Sequence, residues 1–99
     1  MPATILLIGT HDTKGEECAY VRQLIEQRGH RVLTLDSGVL ADPAQPVDIG
    51  AAEVAEAGGG DLQALRRAGD RGAAVEIMRQ GASALTLRLY AERRIHGVI

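Results

Sequence analysis

The sequence has no Phe and no Trp, and Tyr20 and Tyr90 are the only aromatic residues among its 99. Any core must be assembled from Leu, Ile, Val, Ala and two Met, which leaves it light for a free-standing fold and allows a single domain. Cysteine occurs once, at Cys18. A lone thiol closes no internal disulfide and assembles no metal site by itself, in keeping with a reducing compartment. Also missing is any apolar span near the roughly 18 residues that a bilayer demands. Met1-Pro2-Ala3 enters the run Ile5-Leu6-Leu7-Ile8 with no basic flank and no cleavage site. Neither sign of charge dominates: 11 basic and 13 acidic side chains leave a formal charge of −2, too little to attract a polyanion. These absences predict a cytoplasmic protein that binds neither a membrane nor nucleic acid.

What is present is an alternation of strand and helix patterns. Thr4 to Ile8 is a continuous β-branched and Leu run ended by Gly9, which reads as a strand buried on both faces of a parallel sheet. From Glu16 to Arg28 apolar residues recur at Cys18, Tyr20, Val21, Leu24 and Ile25, an amphipathic helix that Gly29 stops. Arg31 to Asp36 is a second strand, completing a βαβ unit. After a loop with Pro43 and Pro46, Ala51 to Ala57 predicts a short helix closed by Gly58-Gly59-Gly60, a mobile or sharply bent connection. Asp61 and Asp70 stand where N-caps would, so Leu62 to Ala68 and Arg71 to about Arg94 are expected to be helical. In the longer helix Val75, Met78, Ala82, Leu85 and Leu89 form a stripe that Ile77, Ala84 and Leu87 widen. Such a helix asks for cover on two sides, by the sheet and by missing residues or a second subunit. Ile95 to Ile99 restarts a strand pattern and reads as a third parallel strand cut as it begins.

The segment Gly9-Thr10-His11-Asp12-Thr13-Lys14-Gly15-Glu16 joins the first strand to the first helix, at the carboxyl end where open α/β sheets take their ligands. Gly9 and Gly15 permit close backbone approach, Thr10 and Thr13 supply hydroxyls, Lys14 supplies a cation, and the helix start has free N–H groups. Together these could cradle a phosphate, with Asp12 orienting a ribose hydroxyl or holding Mg²⁺ through water. The same residues fit a second reading, since Thr13-Lys14-Gly15-Glu16 is a capping box that needs no ligand. Neither the P-loop pattern nor G-x-G-x-x-G is present, and spacing alone leaves both readings open. Asp36 suits either a ribose or its own turn ahead of Gly38. Arg71, set between Gly69-Asp70 and Gly72, could aim a guanidinium at phosphate or simply begin a helix. Cys18 shares the apolar stripe of its helix and reads as a core residue, with no His or acid beside it in sequence to make it a nucleophile. His11 lies near the candidate loop. His30 and His96 read as surface residues, and the three His have no metal-ligand spacing, so no metal centre is expected.

Four collinear segments carry a resemblance: I-G-T-x-D-T-K at Ile8–Lys14, V-x-x-L-D-S-G at Val32–Gly38, G-D-R-G-x-A-x-x-I-M at Gly69–Met78 and H-G-V-I at His96–Ile99. In this order they resemble the ATP-binding family related to the tomato mosaic virus resistance protein, with many uncharacterised bacterial members. The resemblance implies a longer chain of two Rossmann-like subdomains, of which residues 1–99 are part of the first, with a glycine-rich loop following the third strand. It further implies ATP as ligand, possible use of Mg²⁺, and association as dimers. Carried onto this chain, the nucleotide contacts are Asp12, Thr13, Lys14, Gly38 and Arg71, supported by Gly9 and Thr10. Two other functions stay open: an enzyme acting on phosphoryl groups or a small acid, and a piece that serves assembly.

Overall fold

The computed structural model describes residues 2–99. They form an α/β unit, a three-stranded parallel sheet with helices packed on it in Rossmann-like fashion. The strands are β1 (Thr4–Gly9), β2 (Arg31–Asp36) and β3 (Gly97–Val98). The helices are α1 (Gly15–Gln27), α2 (Ala51–Ala57), α3 (Leu62–Ala68) and α4 (Arg71–Ala91). The order is β2-β1-β3, so β1 is central. It runs in register with β2 from Thr4 opposite Arg31 to Gly9 opposite Asp36, and meets β3 with Ile5 opposite Gly97 and Leu6 opposite Val98.

Why β1 is apolar throughout follows from its position. Alternate side chains of a strand point to opposite faces, and here both faces are covered. Leu7 packs with Val32, Cys18 and Ile25 beneath α1. Leu6 and Leu35 belong to the larger core with Val54, Met78, Leu85, Leu89 and Ile95. Both are fully buried, each worth about 2 kcal/mol against exposure.

Four local features differ from expectation. In α1, Cys18 and Ile25 are buried and Val21 packs beside them, but Tyr20 and Leu24 are exposed. Residues 18, 21 and 25 share a face at three- and four-residue spacing, whereas Tyr20 is two residues from Cys18 and points elsewhere. Val75 likewise leaves the core stripe of α4, where Ala74 is buried in its place. The helix ends at Ala91 rather than near Arg94, because Arg93 turns left-handed (φ 59°) and delivers Ile95 into the core. Finally, His96 is exposed, as expected of it, while His30 is half-buried, and both hold the backbone. Each accepts a backbone N–H at the start of β1 through Nδ1, from Ala3 at 3.1 Å and from Thr4 at 2.9 Å respectively.

Two close approaches fix the remaining layers. At the crossing of α2 and α4, a Cβ on Gly81 would stand 1.8 Å from Val54 O and one on Gly58 would stand 2.1 Å from Ile77 O, so the backbones touch. The glycine triplet is therefore a tight bend, with Gly59 at φ 85°. Beside β2, Asp48-Ile49 adds a single parallel bridge: Ile49 N–H donates to Thr34 O and Asp36 N–H to Ile49 O, both at 2.9 Å. Asp48 secures it by accepting from the Thr34 N–H at 2.7 Å and its hydroxyl at 3.0 Å. Among the described residues no helix is long and apolar enough to cross a membrane.

Candidate functional site

The chain leaves β1 for β2 on one side and reaches β3 on the other, so the carboxyl end of β1 is a topological switch point, where such sheets open a crevice. The first wall is the β1–α1 loop. It closes as a turn in which Thr10 O accepts from Thr13 N–H at 3.1 Å and Lys14 N–H at 2.7 Å. The capping box does not form: the N-cap is Lys14, no side chain caps the helix, and the Thr13 hydroxyl lies 3.3 Å from that of Thr10. The first N–H groups of α1 consequently lack the side-chain acceptor that the S/T-x-x-E pattern suggested.

The second wall is the segment after β2, and Asp12 ties it to the first. Its Oδ2 accepts from Leu40 N–H at 3.0 Å and Ala41 N–H at 3.2 Å, while Oδ1 accepts from Thr13 N–H at 2.9 Å. Gly38 is what lets this carboxylate in, since a Cβ there would stand 2.0 Å from Asp12 Oδ1. Arg66 of α3 holds the same segment, donating from Nε to Val39 O at 2.7 Å and pairing with Asp42 at 3.2 Å. No sequence signal marked Arg66, because its partners lie more than twenty residues away and follow no motif.

The third wall is the start of α4. Asp70 caps it, accepting from Ala73 N–H at 3.1 Å, and Gly69 ends α3 in a left-handed turn. Between the walls lies a cavity of about 500 Å³. Thr10, Asp12, Thr13, Lys14, Gly38 and Arg71 all line it, joined by Arg66. Lys14 and Arg71 are exposed and form no ion pair among the described residues. Asp12 and Asp70 keep their charge while accepting backbone N–H groups, but against Lys14, Arg66 and Arg71 the lining carries a small positive excess, and Lys14 and Arg71 are its cations without an ion pair among the described residues. That suits it to an anion.

Gly9 is not on the wall. It lies beneath, where a Cβ would meet Cys18 Sγ at 2.7 Å and His11 Nε2 at 3.8 Å. Sequence spacing hid this grouping, for the fold gathers Cys18, His11 and Asp36 below the loop. Asp36 is 1 % exposed, and its Oδ1 accepts from Gly38 N–H at 2.9 Å and His11 N–H at 3.1 Å. Burial pushes its carboxyl above the ordinary 3.8, against the pull of those two N–H groups. Asp36 Oδ2 and His11 Nε2 are buried without a hydrogen-bond partner. Burial also raises the Cys18 thiol, with Glu17 and Asp36 adding to the effect, which keeps it from being a ready thiolate. Among the described residues no three His, Cys, Asp or Glu side chains converge as a metal site.

Architecture and cleft define a parallel α/β unit of the Rossmann-like class, with its loops gathered at the switch point. More particularly, the chain belongs to the uncharacterised protein family UPF0261: residues 3–99 match that family's N-terminal domain. It is 37 % identical over 99 residues to a UPF0261 protein of Clostridium tetani, an alignment that covers 100 % of this chain and 24 % of the relative. A UPF0261 protein of Brucella suis is 35 % identical over 95 residues, covering 96 % of this chain and 23 % of its own length. One from Mesorhizobium japonicum is 42 % identical over 74 residues, covering 75 % and 18 %. The chain thus spans less than a quarter of the length of these curated relatives. No solved structure matches it.

Proposed function

We propose that this chain is a nucleotide-binding module, with ATP as its ligand and the triphosphate held in the cavity between the β1–α1 loop and the start of α4. The observation that carries this reading is the convergence of Lys14 and Arg71, uncommitted to any acid, with the Thr10 and Thr13 hydroxyls at the carboxyl end of the central strand. Lys14 acts as a point charge and Arg71 as a fork on phosphate oxygens. Asp12 holds the two loops together, and any Mg²⁺ it assists would draw on the lone pairs its three N–H donors leave free. The resemblance of Ile8–Lys14 and Gly69–Met78 to the ATP-binding family supports the choice of ATP.

Isothermal calorimetry with Mg-ATP tests the reading. Lys14→Ala and Arg71→Ala should each weaken binding about tenfold or more, the scale of one lost hydrogen bond between charged groups. Unchanged affinity in both variants would remove this cavity as the site.

A further inference from the structure

A second hollow, of about 720 Å³, adjoins this cavity, with Thr10, Ser37 and Val75 lining both. It is a trough between α4 and the ends of β1 and β3, with Ile8, Met78, Ala82, Leu87 and Val98 on its walls. Its character is apolar. The Thr86 hydroxyl, which also lies here, is committed to Ala82 O at 2.7 Å. Val75 is 59 % exposed and Leu87 70 % exposed, so they contribute little to the fold as it stands and leave apolar surface in water.

The placement along α4 gives the two hollows a direction. Arg71 and Val75 are four residues apart, one turn on the same face, and from Arg71 to Ala82 the helix advances about 16 Å. Anion-binding and apolar subsites therefore lie in line along one helix, with Thr10 and Ser37 at their junction. We infer that the trough is the seat of the ligand's flat apolar body, the nucleobase of a nucleoside triphosphate whose phosphates lie at Lys14 and Arg71. The inference rests on the nucleotide-binding reading above and adds to it that the body of the ligand, as well as its charge, contributes affinity.

Binding of Mg-ATP and of inorganic triphosphate with Mg²⁺ to this chain separates the two ideas. ATP should bind about tenfold or more tightly than triphosphate, the return expected from burying a ring system. The double variant Leu87→Ser with Val98→Ser changes exposed positions that line only the second hollow and adds no charge, so its thermal midpoint should stay that of the unaltered chain. It should lose most of the ATP advantage while holding triphosphate with unchanged affinity. If triphosphate and ATP bind the unaltered chain equally, or if the double variant keeps the full ATP advantage, the trough is not the seat and only this inference falls. If the unaltered chain binds neither, the anion site falls with it.

Discussion

A methyl group at Gly9 would collide with Cys18 Sγ at 2.7 Å, so one of the two must shift within the small core beneath α1. Gly9→Ala should cost about 1–3 kcal/mol, as overpacking does. Removing the sulfur should give most of that back, so the Gly9→Ala, Cys18→Ala pair should be less destabilised than the sum of its single changes, a coupling measured by denaturant unfolding of all four proteins. Additive losses would mean that the clash lies elsewhere. Asp36, on the same layer, predicts a pH signature. Its folded carboxyl sits above its ordinary value of 3.8, so the folded state holds the proton more firmly than the unfolded one. Its contribution is fully present below that ordinary value and is lost as pH rises through the folded value. Asp36→Asn keeps an Oδ1 acceptor for Gly38 and His11 but cannot ionise. As pH rises above about 4 the variant should lose less stability than the unaltered chain, and parallel curves would contradict the assignment.

At the scale of elements, the crossing of α2 and α4 is the least forgiving contact. The obstacle to a Cβ at Gly81 is the Val54 carbonyl, a backbone group that cannot turn aside as a side chain could. Gly81→Ala should therefore destabilise by about 3 kcal/mol or more despite the better helix propensity of Ala, a loss read from the shift in unfolding midpoint. The elements themselves were legible because punctuation brackets them: Gly29 at φ 82° stops α1, Asp61 and Asp70 cap α3 and α4, and the glycine triplet ends α2. What escaped is what periodicity does not encode. Asp48-Ile49 pairs with β2 from within a loop, and at the first turns of α4 it is Ala74 that is buried while its neighbour Val75 is exposed. The candidate loop could be located by its place after the first strand, yet whether Thr13 capped the helix could not, since a capping box is a pattern that the turn around Thr10 O overrides. Arg66 and the gathering of Cys18, His11 and Asp36 are products of long-range contacts alone.

At the scale of the molecule, three separate stretches of chain make the cleft, and two small devices hold them in place. Asp12 ties the loop after β1 to the segment after β2, and Arg66 ties that segment to α3. The walls are therefore largely set before any ligand arrives, which lowers the ordering cost of binding. The two borders of the sheet also differ. Beside β2 the second half of the edge is crossed by Asp48-Ile49, while β3 stands at the opposite border with Val98 and Ile99 exposed. The bridge at Ile49 occupies the carboxyl half of the β2 edge, where an incoming strand would otherwise find free N–H and C=O groups, and so works against edge-to-edge association there.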